Sequence, residues 1–211
     1  MGRKIDLEDQ SRWNARYKES PSSWIEPDTF LVSAYHEFLA DARPGRALDL
    51  AGGAGRNAVW LAQRGWRVKL IDISDVALSL AREKLVSAER GSSSSSQPRA
   101  SAVPFGDLET GIVDLNSVDH LGTEIYDLVI AFYFLRRALF PAITRALKPG
   151  GTLIYRTYTL DRMKVSGGPS DPKYLLQANE LLHAFKSIRV LHYHEMMAGK
   201  AAAELIARKH G

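Results

Sequence analysis

Cysteine is absent from all 211 residues, which excludes disulfides, thiolate nucleophiles and cysteine-ligated zinc. No apolar run approaches the roughly 20 residues of a membrane span. Met1 to Gln10 is charged and lacks the apolar centre of a signal peptide, so a cytoplasmic location is expected. Basic residues come in pairs at most, as at Arg3-Lys4, Arg136-Arg137 and Arg208-Lys209. The net charge of +4 and pI of about 9.3 therefore arise from scattered residues. The basic stripe with interleaved aromatics that marks a nucleic-acid partner is missing. Neither G-x-x-x-x-G-K-S/T nor G-x-S-x-G occurs, which removes the P-loop and the serine nucleophile elbow.

What is present suits one globular domain over residues 1–211. A helical lid is expected at 1–43. Arg12, Trp13, Ala15, Arg16 and Tyr17 form a mixed aromatic-basic helix. A second helix from about Asp28 to Ala40 turns Phe30, Ala34 and Phe38 inward, with Leu31, Tyr35 and Leu39 beside them. Pro44-Gly45 opens the core, 44–211. Within it, Gly91 to Pro98 is serine-rich, and disorder is expected over 91–98. A short strand is expected at Ala100 to Pro104. The continuous apolar run from Tyr126 to Phe134 reads as a central strand covered on both faces. A helix with Pro141 in its first turn is expected to stop at Leu147-Lys-Pro-Gly-Gly151, ahead of a strand from Thr152 to Thr157. A short helix, Glu180 to Phe185, precedes two last strands, Ser187 to Glu195 and Ala201 to Arg208. Their link is too short for a parallel crossover, so they pair antiparallel.

The stretch from Arg46 to Asp72 organises the chain. An apolar strand (Ala47, Leu48, Leu50) enters a turn with Gly52, Gly53 and Gly55. A helix with Ala58, Leu61 and Ala62 follows, ends at Gly65, and gives way to a strand that stops at Asp72. This is a β-α-β unit with its ligand loop in the first turn. Glycine there admits close approach of a ligand, and an acid ending the second strand is placed to hold a ribose. Ser74 reads as the N-cap of the next helix, with Asp75 in its first turn and Ala77, Leu80, Ala81, Leu85 and Ala88 facing inward as far as about Glu89. Gly53-Ala-Gly55-x-x-Ala58 also fits the dinucleotide pattern G-x-G-x-x-G/A.

Read from Asp49 as D-x-A-G-G-x-G-R, the same residues resemble motif I of the class I S-adenosylmethionine-dependent methyltransferases, with Ala51 where the fuller motif has its first glycine. L-K-P-G-G before a strand and the terminal hairpin resemble that family too. Trp13-x-x-Arg16-Tyr17, Gly167-Gly-Pro169, Leu175-Leu176-x-x-x-Glu180-Leu-Leu182 and the Glu closing Tyr193-His-Glu195 resemble its small tellurite-resistance (TehB-like) group. The resemblance implies an α/β, Rossmann-like doubly wound seven-stranded sheet of order 3-2-1-4-5-7-6, last strand antiparallel, with helices on both faces. It implies S-adenosylmethionine as cofactor, S-adenosylhomocysteine as product, and direct in-line methyl transfer. It carries cofactor contacts onto Trp13 and Arg16 of the lid, and onto Asp49, Ala51, Gly52, Gly53, Gly55 and Asn57 of the turn. Asp72 would take the ribose and Asp107 and Leu108 the adenine, with Ile73, Ala131 and Phe132 among the further cofactor contacts.

The catalytic residue is unknown, since the activated methyl obliges none. Tyr133 and Arg136 are acceptor-side candidates, and Arg137 could help orient an anion; a helix-start surface role for Arg136 stands beside that reading. His192 and His194 share a strand face without an apparent third ligand, so no metal is expected. Asp114 and Asp119 read as solvated turn residues. The reading is a methyltransferase acting on a small-molecule acceptor, with no membrane or nucleic-acid partner. A nicotinamide-dinucleotide oxidoreductase and a non-catalytic S-adenosylmethionine-binding module remain the alternatives. The acceptor and the oligomeric state are not written in these residues.

Overall fold

The computed structural model describes residues 5–20, 25–93, 105–165, 169 and 171–211, with the backbone alone at 91–93. Seven strands form one sheet of order β3-β2-β1-β4-β5-β7-β6, and the chain forms two compact units, 1–117 and 118–211.

The first unit opens with α1 (Leu7–Glu19), capped by the Asp6 carboxylate, which accepts from the amides of Glu8 and Asp9. Helix α2 (Thr29–Phe38) is capped by Asp28 and buries Phe30, Leu31 and Ala34. Strand β1 (Arg46–Leu50), helix α3 (Arg56–Ala62), strand β2 (Arg67–Asp72) and helix α4 (Asp75–Ser93) follow in the expected order. Ala47, Leu48, Leu50 and Leu70 are almost completely buried, as strands with a covered face require. The Ser74 hydroxyl accepts from the Ala77 amide at 3.1 Å and so caps α4. That helix runs to Ser93, past the expected end at Glu89 and into the start of the serine-rich segment. The rest of that segment lies outside the described residues, as does the strand expected at Ala100–Pro104.

Strand β3 is instead Leu108–Ile112, parallel to β2 with Val68 beside Leu108 and Asp72 beside Ile112. It is an edge strand with no fully buried residue, so it needs no continuous apolar run. Lys69 and Glu109 face each other across the pair at 2.7 Å, a cross-strand match on the exposed face.

The second unit holds β4 (Tyr126–Phe132), α5 (Phe140–Ala146), β5 (Leu147–Tyr158), α6 (Glu180–Ala184), β6 (Arg189–Glu195) and β7 (Ala202–Arg208), with short 3-10 turns at Arg137–Leu139, Leu160–Lys164 and Pro172–Tyr174. Strand β4 stops two residues earlier than expected, because Tyr133 turns left-handed at φ 57°. Helix α5 already ends at Ala146, and Lys148-Pro-Gly-Gly belongs to the beginning of β5. Between the pairs Tyr126–Leu147 and Leu128–Thr152 that segment bulges out of register. Pro149 has no N–H for the ladder and Gly150 sits at φ 77°. The pairs β5–β7 and β7–β6 are antiparallel. Tyr155 is fully buried, and its ring meets Phe140 and Phe185 at centroid distances of 6.1 Å each. Its hydroxyl donates to the Phe134 carbonyl at 2.9 Å, which satisfies the one polar atom that burial would otherwise strand.

Gly106 fixes how the chain enters β3. Its amide donates to the Ala62 carbonyl at 2.8 Å, and a Cβ there would lie 2.1 Å from the Trp66 carbonyl oxygen. Gly106→Ala should lower stability by about 1–3 kcal/mol, the scale of an overpacked site. Urea unfolding reads this directly, and an unchanged midpoint would show that the entry to β3 can shift freely.

Candidate functional site

Strand β1 carries Asp49 into the interior and ends at a turn in which Ala51, Gly53 and Gly55 all adopt positive φ (52°, 56° and 71°). Each glycine meets a different neighbour. A Cβ on Gly52 would lie 2.5 Å from the Asp49 carboxylate, one on Gly53 2.1 Å from the Tyr17 hydroxyl, and one on Gly55 2.6 Å from the Ala81 Cβ. The turn is thus closed on one side by α4 and approached on the other by α1.

Two carboxylates are buried at this turn. Asp72 accepts from the Gly53 amide through Oδ2 and from the Ser74 amide through Oδ1, both at 2.9 Å. Burial raises its pKa, and the Ser74, Gly53 and Ile73 amides pull it back. Asp49 is 1% exposed, and neither of its oxygens makes a hydrogen bond of normal geometry. Burial first and the Asp72 charge second push it up to about 8; Arg56 and the Ala58 amide oppose them. Arg56 is held by Asp28 at 3.2 Å. A carboxyl kept neutral by its surroundings beside an ionised one favours a ligand that brings positive charge and hydroxyl donors.

Helix α1 is tied to the end of β2 and the start of α4. Gln10 Nε2 donates to the Ile73 carbonyl at 2.9 Å, Asn14 Nδ2 to Asp75 at 2.7 Å, and the Ser74 hydroxyl to Asn14 Oδ1 at 2.6 Å. Tyr17 is the residue of this helix that reaches the glycine turn; burial, with Asp72 next, raises its pKa. Trp13, one turn away, lies 6.2 Å from the Tyr17 ring and carries the Arg16 guanidinium at 5.3 Å. Arg16 itself is exposed. Of the lid residues expected to face a ligand, neither Trp13 nor Arg16 is the one over the turn. Spacing could have named Tyr17, since i and i+4 share a helix face.

Asp107 and Leu108, expected just after the third strand, lie at the start of β3. The carbonyl of Asp107 accepts from the Val68 amide, so both residues lie at the amino end of β3. Asp72 lies at the other end of the β2–β3 pair, four residues on and about 13 Å away. The acid following β3 is Asp114. It is buried, not solvated, and accepts from the amides of Asn116 at 2.8 Å and Asp6 at 3.4 Å. A sequence signal existed: apolar-Asp-apolar occurs at Leu48-Asp49-Leu50, Ile71-Asp72-Ile73 and Val113-Asp114-Leu115. Asn57 is buried and its side-chain oxygen accepts from the Asp28 amide at 2.9 Å, a contact that anchors the start of α2.

In the second unit, Ala131 and Phe132 end β4 and are buried. Arg136 Nη1 donates to the Val118 carbonyl at 2.9 Å. Arg137 binds Glu180 through two nitrogens and the carbonyls of Lys173 and Leu175, so it clamps a loop and is not poised for an anion. Tyr133 touches Lys200, whose Nζ is 3.3 Å from the phenol oxygen. His192 and His194 flank Glu204 at 4.0 and 3.9 Å, but that carboxylate also faces Arg156 at 3.4 Å. Among the described residues no group of three His, Asp or Glu side chains could hold a metal.

A family model described as a methyltransferase domain matches residues 24–200. The Bacillus subtilis protein YqeM, which bears a methyltransferase name, is 29% identical over 115 residues, 54% of this chain and 43% of its own length. The chain spans less than half the length of the curated relatives it matches. TehB from Haemophilus influenzae superposes at a TM-score of 0.64 with 19% identity, covering 94% of this chain and 67% of that one. The cyclase SpnF superposes at 0.67 with 16% identity, covering 99% and 98%. At these identities the two structures speak for the fold.

The Asp49 environment makes stability depend on pH. Its folded pKa, about 8, stands above the ordinary 3.8, so the folded state retains the proton longer than the unfolded one. Its contribution to stability is greatest below the unfolded value, falls as pH rises through this interval, and levels off above about pH 8. Asp49→Asn, uncharged throughout, should be more stable than the parent at pH 8, by on the order of a few kcal/mol, and no more stable near pH 4. Urea midpoints at the two pH values test this; equal midpoints at pH 8 would mean that Asp49 is not held neutral.

Proposed function

We propose that this chain, which belongs to the methyltransferase-domain family, transfers the methyl group of S-adenosylmethionine to a small-molecule acceptor. The observation that carries the reading is the pair of buried carboxylates, Asp49 and Asp72, set around a left-handed glycine turn. The donor set fits this cofactor, which brings a ribose diol, an ammonium and a sulfonium. A pyrophosphate of a dinucleotide at the turn would instead meet the Asp49 and Asp72 carboxylates, with Lys84, whose Nζ donates to the Ala54 carbonyl at 3.1 Å, and Arg56 as the cations nearby. When bound, the cofactor supplies a methyl group already activated on a positively charged sulfur.

The chain's own residues have three tasks. Asp72, with one contact on each oxygen, retains lone pairs for two ribose hydroxyls. Asp49 gives up its proton as positive charge arrives and then holds that charge. Gly52 makes space for the Asp49 carboxylate and Gly53 for the Tyr17 hydroxyl, with which α1 covers the turn and limits access of water. Asp114 and Leu115, following β3, suit the adenine in place of Asp107 and Leu108. An acceptor that is already an anion, a thiolate or an amine needs alignment more than a strong base, which accords with a site rich in cofactor contacts and poor in obvious bases. The scattered positive charge favours a small acceptor over a nucleic acid.

Calorimetric titration with S-adenosylhomocysteine, with NADH in parallel, tests the cofactor half. Asp72→Ala should weaken S-adenosylhomocysteine binding by about 1–3 kcal/mol; undiminished affinity would move the site elsewhere. The pair Asp114→Ala and Asp107→Ala separates the two assignments at β3. The first should lower affinity by a similar amount, and the second should leave it unchanged. The opposite order would restore Asp107. Turnover over a panel of small acceptors then distinguishes a methyltransferase from a binding module.

A further inference from the structure

We propose that Asp49 reads the net charge of the ligand at the glycine turn. It releases its proton for the sulfonium cofactor and keeps it beside the uncharged thioether product. As a residue that tells cofactor from product, it rests on the methyltransferase reading above.

Asp49 is the next-to-last residue of β1, it is 1% exposed, and neither carboxylate oxygen makes a hydrogen bond of normal geometry. The buried acids Asp28, Asp72 and Asp114 instead serve the backbone. Asp28 caps α2, Asp72 accepts from the Gly53 and Ser74 amides, and Asp114 accepts from the Asn116 and Asp6 amides. An acid buried without such bonds costs the fold stability. The Asp49 side chain lies against Gly52, where a Cβ would come within 2.5 Å of its Cγ and Oδ2. Its carboxyl is therefore set at the turn itself, and the backbone makes no use of its charge.

Each element packed on the turn brings a charged or titratable group to this region. Strand β2 brings Asp72, α1 brings Tyr17, α3 brings Arg56 and α4 brings Lys84. Arg56 is shared with Asp28 at 3.2 Å, and Lys84 donates to the Ala54 carbonyl at 3.1 Å. Two carboxylates buried side by side favour one proton between them. Amide donors on both Asp72 oxygens favour its charged form, so the proton resides on Asp49. A ligand of net positive charge changes that balance, because it stabilises a second negative charge. S-Adenosylmethionine, with a sulfonium, an ammonium and a carboxylate, is net positive. S-Adenosylhomocysteine has lost the sulfonium charge and is net neutral. The Asp49 carboxyl thus passes its proton to solvent when the first binds, and takes one back from solvent when only the second remains. Below the Asp49 pKa of about 8, binding that expels a proton is opposed by acid. The affinity for S-adenosylmethionine therefore rises with pH, and that for S-adenosylhomocysteine rises less.

Calorimetric titration of the full chain with each ligand, in two buffers of different ionisation enthalpy, counts the protons released. Working at about pH 6 and pH 7 keeps both ligands' amines largely charged, since α-amino groups titrate at about 7.7–8.0. S-Adenosylmethionine should release close to one proton at pH 7 and bind there up to about tenfold more tightly than at pH 6, the limit set by one linked proton. S-Adenosylhomocysteine should release clearly fewer protons and tighten by about twofold or less. In Asp49→Asn the proton release should vanish, and the ratio of the two affinities should be the same at both pH values. Equal proton counts for the two ligands, or a parent-like count in Asp49→Asn, would overturn the proposal and leave the cofactor reading intact. Failure of both ligands to bind the parent chain would reject the methyltransferase reading and this proposal with it. The comparison of the two ligands on the parent chain needs no variant, so it decides the matter even if Asp49→Asn does not fold.

Discussion

The first unit depends on the burial of two carboxylates beside one backbone turn. Ionised carboxyls are costly to bury unless hydrogen-bonded or neutralised. The turn solves this differently for each. Asp72 is satisfied by backbone amides of Gly53 and Ser74. Asp49 lacks such bonds and is kept neutral by burial and by its charged neighbour. The amide of Gly53 reaches Asp72 only because the turn runs left-handed there, and Gly52 alone leaves space for the Asp49 side chain. Electrostatics and backbone conformation are therefore one constraint: a side chain at either glycine would displace a carboxylate or the helix above it.

That helix shows how a polar contact set can seat an element with almost no core. None of the α1 residues is fully buried, so hydrophobic burial contributes little to its placement. Gln10, Asn14 and Tyr17 lie on one face and meet the β2–α4 junction through side-chain hydrogen bonds and one ring. Contacts of this kind are individually worth about 1 kcal/mol net. A helix held this way opens at low cost.

The fates of the arginines illustrate how charge is distributed within the structure. Arg56 secures the start of α2 through Asp28, Arg137 clamps the loop before α6, and Arg136 ties to a backbone carbonyl. Arg162, in the 3-10 turn after β5, and Lys200, in the link between β6 and β7, lie over the Tyr158 and Tyr133 rings. The sequence shows its eighteen arginines only as cations; a partner can lie tens of positions away, as Glu180 does from Arg137.

The sequence by itself determined the β-α-β unit, the glycine turn, the acid ending β2, the cap at Ser74 and the antiparallel terminal hairpin. These rest on local rules: period, capping chemistry, and the length a crossover needs. Tertiary structure alone decided that β3 starts at Leu108, which moved the acid at its end from Asp107 to Asp114. An edge strand is half-exposed, so its apolar pattern is weak, and register comes from pairing with β2. Only the folded chain, likewise, brought Tyr17 over Gly53 and Lys200 to Tyr133. Those neighbours are separated by long stretches of sequence, and their meeting is set by packing, which no local pattern encodes.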